Sequence, residues 1–135
     1  MIHQHVCFAK YRWCVDIYYD VKPKDTDYIL DLLWDLGCPK RDMYKAEDLI
    51  SSGVPNEGLT YSNRYERKTL IVITEVTDPF QFINSLSHER QHLLQAISKA
   101  DEMNPYGEPI AYLSGDISMA LAKNAWNAMR DLFGL

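Results

Sequence analysis

Two of the four histidines in the chain, His88 and His92, stand four positions apart, and a glutamate directly follows the first. The stretch His88-Glu89-Arg90-Gln91-His92 reads H-E-x-x-H. On a helix, residues i and i+4 lie one above the other on the same face. Two imidazoles placed in this way can close on one metal ion, and neutral imidazole is a good zinc ligand. Glu89 then lies beside the ion, where its carboxylate can take a proton from an activated water.

A helix has to carry this pattern, and the flanking residues supply one. Asp78 suits an N-cap and Pro79 the first helical position. At about 100° per residue, Phe82, Ile83, Leu86, Leu93, Leu94 and Ile97 share one broad apolar arc. His88 and His92 fall together on the flank of that arc and Glu89 at its margin. Arg90 falls inside the arc, so it must snorkel or find a buried carboxylate. A reactive zinc site needs a third protein ligand and one open position. Asp101, Glu102, Glu108 and Asp116 are the downstream candidates. The first two close the motif helix and reach back poorly. Residues 103–107, Met-Asn-Pro-Tyr-Gly, read as a turn that lets a further helix fold back, with Glu108 at its start across from the histidines. Tyr112 and Asp116 follow at one and two turns near the same face. Ile110, Leu113, Ile117, Leu121, Ala125, Ala128 and Leu132 form the opposite, aliphatic one.

The preceding sequence reads as scaffold. Residues 2–9 and 12–21 are rich in Val, Ile, Tyr, Phe and Trp, which predicts two strands joined as a hairpin near Lys10-Tyr11. His3 and His5 fall on one face of the first strand, where a surface pair without a third ligand is the expectation. Two helices should follow. Asp25 or Thr26 caps the first and Gly37 stops it; the second runs over 40–51 and ends at Gly53. Residues 59–65 are polar and aromatic, as at a sheet edge, whereas 69–76 form an aliphatic, buried strand. An edge strand has unpaired N–H and C=O groups and can accept an extended peptide, so Thr60 to Ser62 are expected along one wall of the pocket holding His88 and Glu89. The element order is β-β-α-α-β-β-α-α, a single α+β domain over 1–135.

Composition narrows the partners. The net charge of −5, from 14 basic and 19 acidic residues, argues against nucleic acid held by phosphate contacts. No apolar stretch approaches a membrane span, and the start Met1-Ile2-His3-Gln4-His5 lacks the pattern of a secretory signal. Cys7, Cys14 and Cys38 are odd in number and show no C-x-x-C spacing, so the expectation is reduced thiols in a cytoplasmic protein.

His88-Glu89-x-x-His92, followed sixteen residues later by Glu108 opening a second helix, resembles a gluzincin-type zinc metallopeptidase in its smallest form. The stretch Glu108-Pro109-Ile110-Ala111-Tyr112-Leu113-Ser114-Gly115 also resembles the ligand-bearing helix of small zincin-like proteins encoded by phages and mobile elements. The likeness covers roughly residues 59–117. It implies a zincin-like fold, Zn²⁺ held by His88, His92 and Glu108, Glu89 as general base, and a sheet edge bordering the cleft. Thermolysin-like relatives carry an aspartate four residues after the glutamate ligand. Tyr112 stands there in this chain, and Asp116 is the nearest substitute for that supporting role. Tyr112 or Tyr106 could supply an oxyanion donor, although tyrosines at such positions are more often packing residues. The implied activity is hydrolysis of a peptide or protein substrate. One alternative is a non-catalytic interaction or mobile-element accessory protein that keeps the same fold; another is a chance motif on an ordinary helix with no metal, which metal analysis of the purified protein separates from the other two.

Overall fold

The computed structural model describes all residues, 1–135. β1 (Ile2–Phe8) and β2 (Trp13–Val21) form an antiparallel hairpin joined by a 3-10 turn at Ala9–Tyr11. α1 (Thr26–Asp35) and α2 (Lys40–Ser51) follow, then β3 (Gly58–Asn63), β4 (Lys68–Thr74), α3 (Pro79–Ala100) and α4 (Glu108–Phe133). This is the expected α+β order. The start of α3 also matches, with the Asp78 carboxylate accepting from the N–H groups of Phe80 and Gln81. At α1 the Asp25 carboxylate instead accepts from the Lys22 N–H, closing the short turn before the helix. Gly37 and Gly53 leave α1 and α2 with φ of +83° and +75°, a conformation that a Cβ disfavours.

The four strands form a mixed sheet in the order β1-β2-β4-β3. β2 and β4 are its parallel centre; β3 pairs antiparallel with β4 and is an outer edge. Because successive strand residues point to opposite faces, each central strand serves two cores. Val15, Ile17, Tyr19, Ile71 and Ile73 pack with α3 and α4. Tyr18, Leu70 and Val72 pack with Ile29 and Leu33 of α1 and Ala46 and Ile50 of α2. Helices thus cover both faces, which is why β4 reads as an unbroken aliphatic run. Asp20, at φ +60°, breaks the alternation late in β2, and its carboxylate accepts the Val76 N–H. No helix is long and apolar enough to cross a membrane.

The cysteines differ from the reduced state expected. Cys7 and Cys14 are directly opposite in the hairpin register and are joined as a disulfide, leaving Cys38 as the one free, buried thiol. The turn at residues 9–11 brings the two strands back in register so that their Cβ atoms meet, a relation that sequence spacing alone does not reveal.

Candidate functional site

The α3 helix lies beside the edge strand β3, and its motif residues divide between the two environments. Glu89 is 4 % exposed and faces the strand. Its Oε1 accepts the Thr60 hydroxyl at 2.9 Å. Gly58 makes this approach possible: a Cβ there would stand 2.7 Å from both Cγ and Oε2 of Glu89. Asn56, itself buried, ties the loop before β3 to the start of α3. Its Nδ2 donates to the Thr77 hydroxyl and its Oδ1 accepts the Thr77 and Asp78 N–H groups. The Asn56 carbonyl also accepts the Ser85 hydroxyl from α3.

His88 and His92 lie on the exposed side of the same helix, with their Nε2 atoms 3.2 Å apart. Two nitrogens bound to one tetrahedral zinc at about 2.0–2.1 Å stand about 3.3 Å from each other. The distance is that of a hydrogen bond between the two rings, and it matches the spacing of two nitrogens on a shared ion.

The pair opens onto a polar groove of about 470 Å³, walled by Gly58, Thr60 and Ser62 on one side and by His88, Glu89 and His92 on the other. A second hollow, of about 460 Å³, continues past Gly58, His88 and Glu89 toward Gln81 and Asn84. The groove thus follows the edge strand, with the motif near its middle. Glu57 pairs with Thr74 through a backbone bond, and the register continues as Leu59 with Val72 and Tyr61 with Leu70. Antiparallel alternation then turns the peptide groups of Gly58, Thr60 and Ser62 to the free side of β3.

The remaining expected residues are not brought here. Glu108 opens α4 as an exposed residue. The His, Cys, Asp and Glu donors that gather in threes within 4.8 Å are His5, Cys7 and Cys14, not His88, His92 and Glu108. The reason lies in the rotation of α4. Its buried stripe of Leu113, Ile117 and Leu121 meets the core, and Glu108 stands about 180° from Ile117 around the helix. Moreover, α4 joins α3 through Arg90, whose Nη1 donates to the Ser114 hydroxyl, and Arg90 lies about 200° from His88. Arg90 thus meets a hydroxyl in place of the buried carboxylate considered above. Tyr112 is 63 % exposed with the Lys10 ammonium 5.6 Å from its ring, and Tyr106 is 94 % exposed. Neither tyrosine lines the groove. Asp116 accepts the Tyr11 hydroxyl at 2.8 Å and supports the hairpin turn, not a histidine.

The roles of Gly58 and Asn56 and the pairing of Thr60 with Glu89 have no local signal in the sequence. A small residue opposite a buried carboxylate has no sequence pattern of its own. No family model, no curated protein and no solved structure matches the chain.

Proposed function

We propose that the groove between α3 and β3 is the site of a zinc-dependent peptide hydrolase. The observation that carries this reading is the joint placement of the His88–His92 pair, the buried Glu89 and the free edge of β3 along one groove. A zinc ion held by His88 and His92 would supply an acidified water and polarise a carbonyl. Glu89 is the proton acceptor, and it hands the proton on to the leaving amine. The Thr60 hydroxyl and the absence of a side chain at Gly58 hold that carboxylate in one position. The outward peptide groups of Gly58, Thr60 and Ser62 bind the substrate backbone as an additional strand. The groove is open and polar, which suits recognition of an extended main chain.

Glu108 does not face this pair, so two protein ligands would hold an ion here, one fewer than the three expected of a reactive zinc site. That same observation favours a second reading, a non-catalytic module that uses the β3 edge to dock a partner strand. A chelation experiment separates the two. The purified chain, supplied with zinc, should cleave an unstructured peptide mixture, lose that activity with a chelator and regain it when zinc is returned. Peptide binding without cleavage, unaffected by zinc, would establish the docking module. A cytoplasmic setting belongs to the proposal as well, and in a reducing compartment the hairpin cysteines would stand as thiols.

A further inference from the structure

On the face of the β1–β2 hairpin where His3, His5 and Cys7 are exposed, a ladder of side-chain pairs crosses the two strands. His3 lies opposite Tyr18, His5 opposite Asp16, and Cys7 opposite Cys14. A ring nitrogen of His5 and the sulfurs of Cys7 and Cys14 all lie within 4.8 Å of one another. His5 is also oriented. Its Nδ1 is 2.9 Å from the Asp16 carboxylate, and its Nε2 is 3.2 Å from the Cys7 sulfur. A carboxylate accepts only, so Nδ1 donates to Asp16, and Nε2 is the nitrogen turned toward the sulfurs. This carboxylate–imidazole arrangement is the one that orients histidine for a metal. The Asp16 carboxylate is held in turn by His3, whose Nε2 is 2.7 Å away and whose ring stacks on Tyr18 at 4.3 Å.

We propose that this face is a redox-gated zinc site, closed by the Cys7–Cys14 disulfide and opened by its reduction, with Cys7 Sγ, Cys14 Sγ and His5 Nε2 as ligands. Two thiolates and one imidazole form a donor set that zinc accepts, with a fourth position left to water. The chemistry balances. A dithiol reductant breaks the Cys7–Cys14 bond, becomes a disulfide itself and leaves two S–H groups on the hairpin. Zinc then displaces their two protons. The cysteine side chains turn about χ1 until the sulfurs stand about 3.8 Å apart on the ion. Hydrogen peroxide reverses the change: with two protons it takes two electrons from the thiolates, gives two waters, re-forms the disulfide and releases Zn²⁺. His3 is not a ligand, because its near nitrogen is engaged by Asp16 and its ring by Tyr18. The site lies on the β1 side of the sheet, whereas the groove follows β3 at the other edge.

The test uses the full chain with His88→Ala and His92→Ala, so that any metal bound to the α3 pair is removed from the count. The disulfide is reduced with a phosphine, which does not hold zinc as a dithiol does, and the chain is titrated with Co²⁺ and then Zn²⁺. Circular dichroism confirms that it remains folded. The reduced chain should show thiolate-to-cobalt charge-transfer absorption at one equivalent, displaced by zinc, and the oxidised chain none. Peroxide should release the metal in proportion to disulfide formed. His5→Ala, on an exposed position, should weaken binding by about tenfold or more, as should Asp16→Asn, while His3→Ala should leave the ligand set intact. The absence of a charge-transfer band after reduction would overturn the site, as would equal metal binding in both redox states. Unchanged affinity in His5→Ala would overturn the assignment of its ligands.

Discussion

Glu89 illustrates how much of the site depends on single atoms. Its carboxylate is buried between the Thr60 hydroxyl and the bare Cα of Gly58. Gly58→Ala places a methyl 2.7 Å from the Glu89 side chain, so the carboxylate must move. We expect hydrolysis to fall on the order of 10²-fold with metal content unchanged, since a displacement of about 1 Å is enough for such a loss. Turnover and metal analysis on the same preparation check this. At the other edge of the sheet, Asp16 gives a prediction of opposite character. Its depressed carboxyl contributes stability above the ordinary aspartate range, and that contribution is lost as pH falls through the lowered folded value. Replacing both His3 and His5 by alanine removes the groups that lower it. The acid unfolding transition, followed by circular dichroism, should then begin at higher pH. The group is half exposed, so solvent screening keeps the displacement small. Cys38 differs from the hairpin pair: burial, and then the charge of Asp42, push its thiol up to about 11, so it stays protonated at neutral pH.

At the scale of elements, the parts legible in the sequence are those set by local rules. The Asp78–Pro79 start of α3, the glycine ends of α1 and α2, and the polar edge against the aliphatic inner strand all follow from capping, φ preference and burial. Thr60 and Ser62 do stand beside His88 and Glu89; the polar composition of β3 suits an edge, but the strand order that brings this edge to α3 is not written in the sequence. What the sequence leaves open is the relation between elements. The register that sets Cys7 against Cys14 depends on how the turn at residues 9–11 folds. The direction of Glu108 depends on which flank of α3 receives α4, and the aliphatic stripe of α4 turns that residue outward. The β3 edge carries its own prediction. Ser62→Pro removes an outward N–H at a position where edge strands tolerate proline. KM should rise several-fold with little change in metal content. Ser62→Ala, which removes only the hydroxyl bonded to Thr69, serves as the control. Equal effects from the two variants would assign the loss to that hydroxyl and not to the strand edge.

Considered as a whole, the molecule is a four-stranded sheet whose central strands are packed on both faces, with pairs of histidines toward its two edges. The central strands are occupied by packing, so a substrate or ion can reach side chains only where a strand or hairpin face remains uncovered. At the β3 edge, α3 sets the histidine pair and its neighbouring carboxylate along the groove. The central claim is that Glu89 moves the proton in peptide hydrolysis while His88 and His92 hold the metal. The most direct measurement compares zinc content and peptide turnover in Glu89→Gln, His92→Ala and the parent chain, all with the hairpin disulfide intact. Glu89→Gln keeps the shape and removes the base. It should retain the zinc of the parent and lose turnover by about 10²-fold or more, whereas His92→Ala should lose both. Undiminished turnover in Glu89→Gln, or zinc lost from it as readily as from His92→Ala, would contradict the account.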